Sequence, residues 1–80
     1  MANVEKTESA INATAVTPSD SAEIKPTRAI YIGGDGNLRV DMAEGGTVTF
    51  SGLLAGTVLP IQVKKVYATS TTATNILALY

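Results

Sequence analysis

The chain contains no cysteine, no histidine and no tryptophan, and it has few charges. Without cysteine there is no disulfide framework and no thiol nucleophile. Without cysteine or histidine there is no zinc site of the common ligand type and no Ser-His dyad. Six Lys+Arg against seven Asp+Glu leave a net charge of -1. No basic cluster is present, which argues against nucleic acid as a partner. The longest apolar run, Ile76-Leu77-Ala78-Leu79-Tyr80, is strand length, far below the ~20 residues of a membrane-spanning helix, so no membrane partner is expected. Charges at Glu5, Lys6 and Glu8 fall where a signal peptide would need an apolar stretch of about 7–15 residues. The expectation is a protein without a signal peptide, made in the cytoplasm, that binds no metal or other cofactor.

What the 80 residues do contain is 45% apolar side chains, enough for one small core and no second one. They are unevenly placed. Residues 1–28 carry four acids, three bases, Pro18 and Pro26, but no glycine and no aromatic residue; Val4, Ile11, Val16 and Ile24 are scattered singly among alanines. Such a stretch buries too little apolar area to offset an ordering entropy of about 1–2 kcal/mol per residue. It reads as a flexible tail, or as an extended arm whose Val4, Ile11, Val16 and Ile24 enter shallow pockets on a neighbour by strand addition.

Residues 29–80 hold all seven glycines and all four aromatic residues, and they read as a β domain. Ala29-Ile30-Tyr31-Ile32 is a β-branched and aromatic run ending at Gly33-Gly34-Asp35-Gly36, which predicts a hairpin connection. Leu38, Val40 and Met42 alternate with polar residues. So do Val48 and Phe50, predicted to face inward. Val58 to Tyr67 is the longest strand-like stretch, and Asn75 to Tyr80 is the last. The fold expected is all-β: a small antiparallel β-barrel or sandwich of five or six strands, with an extended N-terminal arm.

Two irregularities stand out. Lys64-Lys65 breaks the alternation: Leu59, Ile61 and Val63 share one parity and Val66 and Ala68 the other, and a β-bulge at the lysine pair would return both sets to one face. The lysine pair protects an edge by its charge, or forms a contact patch for an acidic neighbour. The final strand is apolar on both faces. A core of roughly 52 residues, without disulfide or zinc, leaves oligomerisation as the remaining source of stability. Ile76, Leu77, Leu79 and Tyr80 are therefore the expected oligomer interface, in a homotrimer or homopentamer.

Catalytic signals are weak. Gly33-Gly34-Asp35-Gly36-Asn37 lacks the acid spacing of a calcium loop and the Lys-Ser/Thr pair of a phosphate loop. Asp35, Asp41 and Glu44 read as solvated charges, and no catalytic residue is assigned. An enzyme is not expected.

One resemblance covers about two-thirds of the chain. It runs through Arg28-Ala29-Ile30-Tyr31-Ile32-Gly33-Gly34-Asp35-Gly36-Asn37-Leu38, Gly45-Gly46-Thr47-Val48-Thr49-Phe50 and Gly56-Thr57-Val58-Leu59-Pro60-Ile61. It ends in Ala68-Thr69-Ser70-Thr71-Thr72-Ala73-Thr74-Asn75-Ile76-Leu77-Ala78-Leu79-Tyr80. These segments resemble small structural proteins of tailed bacteriophages, prophages and gene-transfer-agent-like particles. The resemblance implies a compact β domain that self-associates and sits on the particle as head decoration, cement or spike base. Its partners would be other copies of itself and the major capsid protein or another virion protein. Its location would be the virion, assembled in the host cytoplasm. The alternative is a small β-rich binding module, for carbohydrate for example. That would want exposed aromatics, whereas Tyr31, Phe50, Tyr67 and Tyr80 lie in strand contexts that suit burial.

Overall fold

A computed structural model describes residues 10–80. Seven strands form two antiparallel sheets, and no helix occurs among the described residues. The strands are β1 (Ala13–Ala15), β2 (Ala29–Ile32), β3 (Gly36–Met42), β4 (Thr47–Leu53), β5 (Thr57–Leu59), β6 (Val63–Val66) and β7 (Leu77–Leu79). Sheet one has the order β1-β7-β2-β5 and sheet two the order β4-β3-β6. The sheets do not close into a barrel. Of the two expected architectures the chain adopts the sandwich, with six strands from residue 29 onward and a seventh contributed by the arm.

The core is built from the inward parity of both sheets. Ile30, Ile32 and Ala78 come from sheet one, and Leu38, Val40, Val63 and Val66 from sheet two; Ala73 and Ile76 fill the end between them. Burial of each large aliphatic side chain contributes about 1.5–3 kcal/mol. The lysine pair carries the bulge that this packing needs. Asp41 pairs with Lys65 while Met42 pairs with Val63, so Lys64 is the extra residue. Val63 and Val66, three apart, are both buried as a result.

Several connections differ from the sequence reading. Gly33–Gly36 is not a hairpin turn, because β2 and β3 lie in different sheets. The glycines are there for close approach. A Cβ at Gly33 would lie 2.6 Å from the Asn75 carbonyl oxygen, and one at Gly36 would lie 2.5 Å from the Ala73 nitrogen. The true hairpin joins β3 to β4, where Gly45 and Gly46 take φ values of 103° and 94° that other residues rarely adopt. The stretch Val58 to Tyr67 is two strands in two sheets. Leu59-Pro60-Ile61-Gln62 crosses between them, and Pro60, with no N–H to donate, sits where no ladder runs. Val48 has the inward parity but remains 41% exposed, because β4 is the outermost strand of its sheet.

Residues 10–28 lie along the domain rather than standing off it. The Ile11 and Val16 amides donate to the Tyr80 and Ile76 carbonyls around β1. Farther on, the Ser19, Ile24 and Thr27 amides donate to the Val66, Lys64 and Val63 carbonyls along the outer edge of β6. The segment thus closes one edge of each sheet, which offsets the entropy of ordering it. Thr27 locks its end. This residue is almost fully buried, and its hydroxyl donates to the Ile61 carbonyl (3.0 Å) and accepts from the Val63 amide (3.1 Å).

Candidate functional site

The strand registers decide which side chains share the outer face of sheet one. Val58 lies opposite Tyr31, Tyr31 opposite Leu77 and Leu77 opposite Ala15; in the next row Ala29 lies opposite Leu79 and Leu79 opposite Ala13. All seven are uncharged, and six are aliphatic. Val58 is 51% exposed, and Tyr31, Leu77 and Leu79 are half-buried. An antiparallel sheet with one wet face normally alternates with polar residues on that face. Here the water-facing side is as apolar as a core face.

This placement divides the expected interface residues. Leu77 and Leu79 present themselves outward. Ile76, by contrast, is 3% exposed inside the chain's own core and has no surface to offer a neighbour. Tyr80 is half-buried, its hydroxyl donates to the Lys25 carbonyl (3.2 Å), and the Lys25 ammonium lies 5.7 Å from its ring centroid. Tyr80 and Lys25 flank an open cleft of about 340 Å³ with Pro26, Thr27, Arg28 and Gln62.

The arm residues divide too. Val16 and Ile24 pack against the core of their own chain, whereas Ile11 is 87% exposed. Val4 lies outside the described residues.

The outer face of sheet two is polar and charged. The Arg39 guanidinium stacks 4.5 Å from the Tyr67 ring centroid and the Lys65 ammonium lies 5.1 Å from it. Asp41 accepts from the Tyr67 hydroxyl and from the Thr47 hydroxyl, and Lys65 lies 3.8 Å from its second oxygen. The Thr47 hydroxyl first, aided by Tyr67 and Lys65, holds the Asp41 carboxyl below its ordinary range. Lys65 also donates to the Asp20 carbonyl (3.4 Å). Of the lysine pair, then, Lys65 is engaged within the chain, while Lys64 is half-buried at the bulge.

Two features were not read from the sequence. Asp20 accepts from the Ala68 and Thr69 amides (2.9 Å each) and from the Thr69 hydroxyl, which fastens the arm to the turn after β6. The Thr69 hydroxyl is the main reason its carboxyl is held low. The threonine-rich link is also structural: Thr71 and Thr72 hydroxyls accept from the Arg39 and Asn37 amides. Short polar side chains that bond to backbone recur at such ends, but their partners are set only by the fold. No three Asp, Glu, His or Cys side chains come together among the described residues. Nor is any helix there long and apolar enough to cross a membrane. All four aromatic residues are half-buried rather than fully enclosed.

The described residues thus form a two-sheet sandwich with one apolar outer face and one polar face held by hydrogen bonds, an ion pair and cation–π contacts. No protein-family model matches the chain, and none of the curated proteins does. Among solved structures it is similar to a chain in the capsid of a native gene-transfer-agent particle, computed with C5 symmetry. The two share 32% identity and a TM-score of 0.85, over 98% of this chain and 92% of that one. The chain belongs to the family of that capsid chain, the structural proteins of phage-like and gene-transfer-agent particles.

Proposed function

We propose that the chain is a non-enzymatic virion subunit that decorates or cements the particle or forms the base of a spike. It self-associates as a homotrimer or homopentamer and binds the major capsid protein or another virion protein. The observation that carries this reading is the likeness, over nearly the whole of both chains, to a chain of a symmetric capsid. The apolar outer face of sheet one, centred on Leu77, Tyr31 and Val58, supports it. Such a face has no partner among the described residues, and copies held in a symmetric shell supply one. Ile11, the most exposed large aliphatic side chain among the arm's described residues, and Lys64 at the bulge are the contacts offered to the particle.

The test is attachment. Purified chain is mixed with particles that lack it, and the pellet is assayed after sedimentation through a cushion. Saturable co-sedimentation at a fixed ratio to the capsid protein is expected. A chain that stays in the supernatant at every concentration overturns the virion assignment.

A further inference from the structure

The two sheets have four outer edges, and three are closed or short. The arm covers β6, while β1 and β5 are three residues each and β5 runs into Pro60. The fourth edge, β4, is seven residues long and has no Lys, no Pro and no charge of any kind: Thr47-Val48-Thr49-Phe50-Ser51-Gly52-Leu53. Natural sheets blunt such edges with charge, proline or bulges, and β6 carries two of those devices even though the arm covers it. β4 has neither charge nor proline, and its one irregularity is the register shift against β3 between Phe50 and Leu53.

The ladder shows which backbone groups are open. Met42 donates to Gly46 and Tyr67 donates to Arg39, so the even residues of β3 bond toward β4 and the odd ones toward β6. On β4 the even residues Val48 and Phe50 therefore face β3, and Thr47, Thr49 and Ser51 turn their N–H and C=O groups outward. None of those backbone groups has a partner among the described residues. Exposed to solvent, these groups bond to water; an added strand satisfies all of them at once.

We propose that the partner strand is β4 of a second copy, in antiparallel register about a two-fold axis at Thr49. That register places Val48 against Phe50 on the inward face. On the outer face it places Thr49 against Thr49 and Thr47 against Ser51. Aliphatic–aromatic and hydroxyl pairs are the combinations that stabilise cross-strand neighbours, and no like charges meet. The segment is self-complementary, as a two-fold contact requires. The result is one six-stranded sheet of order β6-β3-β4-β4-β3-β6. The pairing uses sheet two and is independent of the sheet-one face invoked for assembly on the particle.

The test uses the full chain with Thr49→Lys and Thr49→Glu, at an exposed site where folding is retained and checked by circular dichroism. Since the proposed assembly through sheet one joins copies into a trimer or pentamer, each variant is read in the Leu77→Ser/Leu79→Ser background. There it alone should lose the two-copy species in sedimentation velocity, with at least a tenfold rise in its dissociation constant. An equimolar mixture should recover it, because lysine then faces glutamate. Unchanged association of either variant, or no recovery on mixing, overturns the pairing. The chain has no cysteine, so Thr49→Cys offers a second measurement: mild oxidation should link copies in pairs, and failure to link them overturns the register. Leu77→Ser/Leu79→Ser should leave this pair intact, and its loss there would also overturn the proposal. Particle attachment by Thr49→Lys tests the virion reading separately.

Discussion

The Tyr67 hydroxyl lies 3.0 Å from both carboxylate oxygens of Asp41, across the β3–β6 ladder. Tyr67 in turn carries Arg39 and Lys65 against its ring. One carboxylate, one phenol and two cations thus close the outer face of sheet two on itself, leaving the apolar face of sheet one as the side without internal partners.

Acid should loosen both ends of this network. Asp41 and Asp20 are each held below the ordinary aspartate value of 3.8 by hydrogen bonds from Thr47 and Thr69 respectively. A group whose folded pKa is depressed contributes stability above its unfolded pKa and loses it as pH falls through the folded one. Thermal midpoints should therefore be flat from pH 7 to about 5 as far as these two groups are concerned, and fall below pH 4. Asp20→Asn should flatten part of that acid limb, and hydrogen exchange at the Ala68 and Thr69 amides should quicken. An acid limb unchanged in Asp20→Asn would mean that the clasp contributes nothing.

Thr27→Val keeps the side-chain shape and removes the hydroxyl that joins the Ile61 carbonyl to the Val63 amide. Two buried backbone groups lose their partner, at a cost of about 1–3 kcal/mol. Urea denaturation should show that loss with an unchanged slope. A variant as stable as the parent would mean that water replaces the hydroxyl.

Deleting Lys64 should cost little more than replacing it. Lys64→Ala leaves the extra residue in place and should change stability by no more than about 0.5 kcal/mol, as half-exposed substitutions usually do. Removing the residue takes the bulge from β6 but leaves Val63 and Val66 two positions apart, on one face and opposite Met42 and Val40 in an unbroken ladder. A cooperative transition in both variants is expected, the deletion losing the Lys64 carbonyl that accepts from the Ile24 amide. Loss of cooperative unfolding in the deletion alone would mean that the bulge does more than set the parity of the valines.

That bulge was legible in the sequence because two buried valines three residues apart cannot share a strand face without it. The alternation around Leu38, Val40 and Met42 was legible for the same reason: it is a local rule with a local signature. Which strand meets which was not. Nothing in Val58 to Tyr67 marks Leu59–Gln62 as the crossing between sheets except Pro60. Gly33 and Gly34 carry the same letters whether they form a turn or let Asn75 and Thr74 approach. Val16 and Ile24 looked isolated because the surfaces that receive them, at the ends of β7 and β6, are assembled from residues some forty to sixty positions away. Of the expected interface, the parity of Leu77 and Leu79 could be read, and the burial of Ile76 could not.

Leu77 and Leu79 give the sharpest test of the sheet-one face. Both are half-buried in the isolated chain and point away from the core formed by Ala78 and Ile76 on the opposite parity. Leu77→Ser/Leu79→Ser should therefore spare the fold, with Ile30, Ile32 and Ala78 still packed against sheet two. Because each is already half covered, a neighbour's surface adds roughly half of the about 1.5–3 kcal/mol of full burial per leucine, so the double variant should weaken association by at least about tenfold, given tenfold per ~1.4 kcal/mol. The equally conservative change Leu54→Ser, at a 67% exposed loop position off this face, is the control and should leave association unchanged. Sedimentation equilibrium at micromolar concentration distinguishes the two. If the double variant assembles as well as the Leu54 control, the outer face of sheet one is not where copies meet. Self-association would then have to run through the β4 edge or the arm.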